Sequence, residues 1–148
     1  MDELDIKILK ELYKNGRATY VELKRKLGVE DTTIRKRILK MEKEGIIEGY
    51  TVKINPEALG YTITSFIGID TAPNLTEIVA EKLCNLKGIA EVFESTGAYD
   101  LFATGMFKNM EEFRKTIEEI RNTEGVLNVD VEIAMKWFKR TGRILPEL

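Results

Sequence analysis

The chain has 148 residues, of which 43% are hydrophobic and 32% are charged. This composition suits one medium domain or two small ones, and it excludes wholesale disorder. Because no apolar run approaches the roughly 18 residues of a membrane span, and because residues 1–5 are acidic, unlike a signal peptide, we expect a cytoplasmic protein with no membrane partner.

Histidine is absent, and Cys84 is the only cysteine. The absence of histidine removes the commonest general base and the commonest metal ligand, and a single cysteine cannot form a disulfide framework. We therefore expect no enzyme activity, no catalytic residue, no metal and no cofactor. Cys84 falls in an amphipathic helical pattern, which predicts a buried structural thiol.

The first half of the chain predicts three helices, over residues 4–14, 19–27 and 31–43. The break between the second and third contains Gly28, which suits a tight turn. In the third helix Ile34, Ile38 and Met41 recur at helical spacing, so they share one face and should enter a core. This arrangement is typical of a helix-turn-helix.

The opposite face of the third helix is rich in hydroxyl and basic side chains. Short hydroxyls near a helix start, followed by Arg and Lys, suit entry into the major groove with flanking phosphate contacts. The alternative to DNA binding is that these Lys and Arg side chains form only a solvated helix face. Residues 24–43 hold 8 basic and 3 acidic side chains, and residues 56–148 hold 10 and 15, so the basic charge is concentrated where DNA would bind. The predicted DNA-binding residues are Thr32, Thr33, Arg35, Lys36, Arg37 and Lys40.

Residues 46–54, after Gly45, predict a strand pair or wing that closes a first domain over residues 1–54. Residues 55–60 contain Asn55-Pro56 and end in Gly60, which is typical of a linker. The second domain is then predicted over residues 61–148.

The second domain reads as strand, helix, strand, strand, helix and strand. The predicted elements cover residues 62–71, 75–86, 89–95, 101–107, 110–121 and 126–135, with residues 136–140 as an extension of the last strand. This order predicts an α+β fold with a ferredoxin-like βαββαβ sheet that carries both helices on one face. We expect the uncovered face to pair with a second subunit and form a homodimer.

Taken together, the segments resemble the Lrp/AsnC (leucine-responsive/asparagine-regulator) family of prokaryotic transcription regulators. The resemblance covers nearly the whole length, and its most specific segment is Glu44-Gly45-Ile46-Ile47-Glu48-Gly49-Tyr50-Thr51. The other positions that match the family pattern are residues 2–9, 27–29, 34, 37–38, 54–56, 59–60, 97–100 and 125–126.

The resemblance implies a winged helix-turn-helix head and a ferredoxin-like effector domain, the RAM domain. It implies a sequence-specific regulator that binds double-stranded DNA as a dimer, often within an octamer, and is gated by an amino-acid-like effector bound between dimers. Arg37 lies where the family keeps an arginine, and it could contact a phosphate or form an internal salt bridge. The effector-binding residues implied by position are Gly97, Ala98, Tyr99, Asp100, Val129, Val131 and Ile133. For Tyr99, packing in a dimer interface is an equal alternative to ligand contact.

Three departures from the family pattern bear on function. Glu30 replaces the usual serine cap, so Asp31 or Thr32 could cap the helix and shift its start. Ala98 replaces an aspartate, and Val129 and Val131 stand where amino-acid-binding relatives tend to carry threonines, so a less polar effector, or none, is an alternative.

An alternative function is that of an architectural protein that coats DNA with modest sequence preference. The tetrapyrrole decarboxylation of some relatives uses histidines, which this chain lacks.

Overall fold

The computed structural model describes residues 1–140 and 146, which form two compact units, Met1–Lys53 and Ile54–Leu148. The other residues of the predicted second domain, 141–145 and 147–148, lie outside the described part. No helix in residues 1–140 is long and apolar enough to cross a membrane.

The N-terminal unit is a three-helix head, as the periodicity predicts. Its helices are α1 (Glu3–Lys14), α2 (Tyr20–Leu27) and α3 (Asp31–Lys43). Asp2 with Asp5, and Thr19 with Glu22, form reciprocal capping boxes that satisfy backbone N–H groups at the starts of α1 and α2. Gly28 ends α2 with a φ of 67°, a left-handed conformation that favours glycine. The core of this unit consists of Ile8, Leu23, Ile34, Ile38 and Met41.

Two local predictions in the head are wrong. The start of α3 does not shift, because Glu30 keeps the cap position without a side-chain hydrogen bond, while the carboxylate of Asp31 accepts from the N–H of Thr32 at 2.8 Å. Residues 46–54 contain no strand. The backbone N–H groups of Ile46 and Ile47 both donate to the carbonyl of Met41, so this segment begins as the end of α3 and offers no strand ladder.

The C-terminal unit is a four-stranded antiparallel sheet with two helices, which confirms the ferredoxin-like prediction. Residues 55–60 contain a single 3-10 turn, Glu57–Leu59. The last strand ends at residue 133, so its predicted extension through residue 140 is wrong. The elements are β1 (Ile63–Thr71), α4 (Thr76–Cys84), β2 (Ile89–Glu94), β3 (Leu101–Phe107), α5 (Met110–Arg121) and β4 (Val126–Ile133), and the strand order is β2-β3-β1-β4.

Both helices cover the same face of the sheet. Ile67 and Ile69 of β1 belong to one buried cluster with Val79 of α4 and Ile117 of α5. Cys84 is exposed, which contradicts the buried thiol expected from the sequence. It follows Leu83, the buried residue of the stripe, and one residue turns a helix by about 100°, away from the core.

Candidate nucleic-acid interface and ligand groove

The outward surface of α3 is set by its buried face. Because Ile34, Ile38 and Met41 point into the core, a helical rotation of about 100° per residue places Thr32 and Lys36 on the opposite side. The same outward line continues through Leu39 and Lys43, with Thr33 and Lys40 on one flank and Arg35 on the other. Thr32, Arg35, Lys36 and Lys40 are exposed, and Thr33 is half-buried.

Cations on this surface differ in how far they are already neutralised. Within residues 1–140, Arg35 and Lys36 form no ion pair. The Nζ of Lys40 lies 3.7 Å from a carboxylate oxygen of Glu44, a loose contact between exposed side chains. Arg35 and Lys36 are therefore free to meet an anion.

Arg37 points away from this surface and joins α3 to the start of α1. Its Nη1 donates to Asp2 at 2.5 Å and to Asp5 at 3.3 Å, and Asp5 is only 3% exposed. Hydrogen bonds from the backbone of Asp5 and from Arg37 lower the pKa of Asp2 below its usual value. Of the two roles predicted for Arg37, this geometry favours the internal salt bridge.

The loop between β2 and β3 carries Gly97, Ala98, Tyr99 and Asp100. Asp100 is exposed, and its Oδ2 accepts from the N–H of Thr71 at 2.7 Å and from the hydroxyl of Thr71 at 3.2 Å. Gly97 donates its N–H to the hydroxyl of Ser95 at 3.1 Å, and Ala98 is exposed. Asp100 thus fastens the loop to the end of β1.

Tyr99 lies on the sheet face that no helix covers. A Cβ on Gly68 would come within 2.6 Å of the Tyr99 ring, so only glycine leaves room for the ring. The Tyr99 hydroxyl donates to Oδ2 of Asp130 at 2.7 Å, and this bond raises the pKa of Tyr99 above its usual value. The ring meets Phe102 edge-on at 5.4 Å between centroids. Sequence reasoning missed Gly68 and Asp130, which are distant from Tyr99 in the chain.

Val129, Val131 and Ile133 lie on the other face of the sheet. They pair in register with Ile69, Ile67 and Ser65 of β1, and Ile67 and Ile69 lie in the core beneath the helices. Within one chain, the predicted effector residues therefore do not converge. Tyr99 lies on the open face, and the three β4 residues lie on the helix side.

A groove of about 590 Å³ runs between α5 and the edge strand β4. Val131 and Ile133 line it together with Phe113 and Ile117, which makes an apolar floor. Charged and amide side chains of α5 line the same groove, namely Arg114, Glu118, Arg121 and Asn122. The spacing of Arg114, Glu118 and Arg121 at i, i+4 and i+7 marks one helix face in the sequence, but the sequence alone does not show that β4 lies beside it.

Neither arginine of the groove forms an ion pair with the described residues. The groove therefore combines an apolar floor with two available guanidinium groups, a setting that suits a small carboxylate with an apolar body. Within residues 1–140 and 146, no cluster of His, Cys, Asp or Glu side chains could hold a metal ion.

The chain is similar to known transcription regulators over both of its units. Residues 1–48 match the sequence family described as winged helix-turn-helix DNA-binding, and residues 64–144 match the Lrp/AsnC ligand binding domain. The chain belongs to the Lrp/AsnC family. It is 36% identical to the HTH-type transcriptional regulator LrpA of Pyrococcus horikoshii over 94% of this chain and 99% of that protein.

Solved structures of family members share the fold. Escherichia coli AsnC is 30% identical, covers 95% of each chain and superposes with a TM-score of 0.88. A transcriptional regulator of Neisseria meningitidis, solved as a complex with L-Met, is 26% identical, with a TM-score of 0.88 over 95% of this chain and 93% of that one. This Lrp/AsnC protein is thus a DNA-binding transcription regulator with a ligand-binding domain, as its sequence predicts, and the matched LrpA and AsnC proteins are regulators of the same kind.

Proposed function

We propose that the outer surface of α3 enters the major groove of a specific operator, with Lys36 and Lys40 at phosphates and Thr32, Thr33 and Arg35 at base edges. The observation that carries this assignment is the exposure of Thr32, Arg35, Lys36 and Lys40, with Thr33 half-buried beside them, on a helix whose opposite face is buried. Within residues 1–140, Arg35 and Lys36 form no ion pair, and their positive charges, Lys36 on the outward line and Arg35 on its flank, complement the charge of DNA.

The proposed effector is a small amino-acid-like carboxylate that binds in the groove between α5 and β4. Its carboxylate would meet Arg114 or Arg121, Glu118 would accept from an ammonium group, and its apolar part would lie on Val131 and Ile133. The L-Met complex of the Neisseria meningitidis regulator supports this class of ligand, because methionine has the same combination of charges and apolar chain. Residues of the β2–β3 loop would join the site from another subunit.

The proposed assembly is a homodimer formed through the open face of the sheet, with further assembly into an octamer as in the family resemblance. Phe93 is 55% exposed on this face and stacks on Phe102 at 5.8 Å, and Phe66 is 39% exposed. Burial of such an aromatic surface against a second copy would remove a large apolar area from water.

Binding of the full-length protein to the DNA upstream of its own gene tests the regulator proposal. Scrambled DNA at matched salt serves as the control, and each duplex is measured with and without each of the twenty amino acids. Selective binding that one amino acid changes would support both proposals. Equal, strongly salt-dependent binding to both duplexes would contradict a specific operator and favour an architectural role.

A pair of neighbouring substitutions tests the groove. Arg114→Gln removes a guanidinium that lines it, and Lys115→Gln removes an equal charge from the same helix outside it. Arg114→Gln should weaken the ligand response at least tenfold, since a charge-assisted contact is lost, and Lys115→Gln should leave it unchanged. Equal responses of the two variants would place the ligand elsewhere.

Phe93→Asp tests the dimer proposal, because it puts a charge on the open face. Ile78→Asp is the matched control, since Ile78 is 49% exposed on α4, on the other side of the sheet. Light scattering after gel filtration should show a lower mass for Phe93→Asp alone. An unchanged mass for a folded Phe93→Asp protein would contradict assembly through this face.

A further inference from the structure

One exposed apolar side chain, Leu39, lies on the proposed DNA-binding surface, between Lys36 and Lys40. Leu39 is 53% exposed, although the other large apolar residues of α3, Ile34, Ile38 and Met41, are all buried. Single exposed apolar residues are common on protein surfaces, so exposure alone carries no function. Leu39 differs from such residues because of the side chains that surround it.

Leu39 shares the outward line of α3 with Thr32, Lys36 and Lys43. These positions recur at i, i+4, i+7 and i+11, so their side chains follow one another along the helix face opposite the core. Cations lie before and after Leu39 on this line, and Lys40 lies beside it. If these cations contact phosphates, α3 sits in the groove, and Leu39 then faces base edges rather than solvent.

An aliphatic side chain in the major groove has one apolar feature to recognise. Each A·T pair presents the 5-methyl group of thymine there, and no other base of unmodified DNA offers a methyl. A leucine cannot donate or accept a hydrogen bond, so it would not read the polar edges of guanine, cytosine or adenine.

We propose that Leu39 is a specificity-determining residue that reads the 5-methyl group of thymine, and that the operator therefore has a thymine at the position Leu39 faces. The proposal rests on the docking of α3 in the major groove, and it goes further by assigning a base to a residue. Thr32, whose side chain also carries a methyl group, would extend the apolar contact toward the helix start.

Deoxyuridine substitution provides the test, because it removes the methyl and leaves the hydrogen-bonding edge of the base unchanged. The probe is a duplex selected from a random library by the full-length protein, with each thymine replaced in turn. Fluorescence anisotropy at fixed salt should show that one or two replacements per half-site weaken binding by about fourfold, as expected for one buried methyl. Leu39→Ala should bind the thymine duplex about fourfold more weakly and lose sensitivity at those same positions.

Two further variants test whether a loss of sensitivity to deoxyuridine is specific to the apolar side chain of Leu39. Leu39→Met keeps an apolar chain of similar length and should retain sensitivity to deoxyuridine. Ile78→Ala removes a similarly exposed aliphatic side chain from α4 in the other unit, and it should keep the wild-type profile.

Failure of the Leu39 assignment can be distinguished from failure of operator binding by α3. If Leu39→Ala keeps the wild-type sensitivity, or if wild type is insensitive at every thymine, Leu39 reads no methyl although the protein binds DNA. If the protein selects no duplex at all, specific operator binding fails and the assignment of Leu39 fails with it.

Discussion

The outer surface of α3 and the loop between β2 and β3 are held in place by different kinds of contact. Thirteen consecutive residues form α3, and its outward line follows from the helical repeat once Ile34, Ile38 and Met41 are buried. The loop is fixed by partners far away in the chain, since Asp100 bonds Thr71 across 29 residues and Tyr99 bonds Asp130 across 31. The first site depends on local order, and the second exists only when the sheet is assembled.

The largest expected effect comes from the buried face of α3. Ile38→Ala removes a core side chain that is 4% exposed, and it should lower the free energy of unfolding of the N-terminal unit by about 2–5 kcal/mol. Denaturant unfolding followed by far-ultraviolet circular dichroism measures this loss. Leu39→Ala is the control on the outward face and should stay within about 0.5 kcal/mol of wild type. Similar losses in both variants would contradict the assignment of the two faces.

Gly68→Ala should disturb the loop from a distance. The new Cβ would meet the Tyr99 ring at 2.6 Å, so the ring must move and its bond to Asp130 must break, at a cost of about 1–3 kcal/mol in the unfolding of the C-terminal unit. The fluorescence of Trp137, the only tryptophan, can follow this unfolding. The same substitution in a Tyr99→Ala background should cost much less, and equal costs in both backgrounds would show that the two residues are not coupled.

Asp100→Ala should have a smaller effect, confined to the loop. It leaves the N–H of Thr71, a residue that is 7% exposed, without its carboxylate acceptor, and this should cost about 1 kcal/mol. Asp100→Asn keeps an oxygen acceptor and should retain most of the stability. Hydrogen exchange at Thr71 should therefore quicken in the alanine variant and stay slow in the asparagine variant, and no change in either would mean that Asp100 does not hold the loop.

The smallest expected effect is a change in acid stability of the head. Glu11 lies 2.8 Å from Lys14 and 2.7 Å from Lys26, and these hydrogen bonds lower its pKa from 4.5 to about 2. Because the folded state binds the proton less readily, this contribution is present above pH 4.5 and is lost as the pH falls toward 2. Glu11→Gln should flatten the dependence of the unfolding midpoint on pH within this window. An unchanged pH profile would show that the contact adds no stability.

The sequence predicts the head and the sheet because both depend on repeating patterns. The apolar period of α3 identifies Ile34, Ile38 and Met41 correctly as its buried face. The partner of Tyr99, the groove beside Val131 and the ion pair of Arg37 with Asp2 and Asp5 join residues that no local pattern connects. Cys84 shows that prediction from a pattern is limited even within a helix. Neighbouring residues differ by about 100° around the axis, so an exposed side chain can directly follow a buried one.

The most direct test of the central claim uses two neighbours in the chain, Lys36 and Arg37. Each variant, Lys36→Ala and Arg37→Ala, removes one positive charge, but only Lys36 lies on the outer surface of α3, and Arg37 binds Asp2 and Asp5. We expect Lys36→Ala to weaken operator binding and reduce the salt slope of log affinity by about 1 without changing the unfolding midpoint, and Arg37→Ala to lower that midpoint. Wild-type affinity and slope in Lys36→Ala would contradict DNA binding by the outer surface of α3.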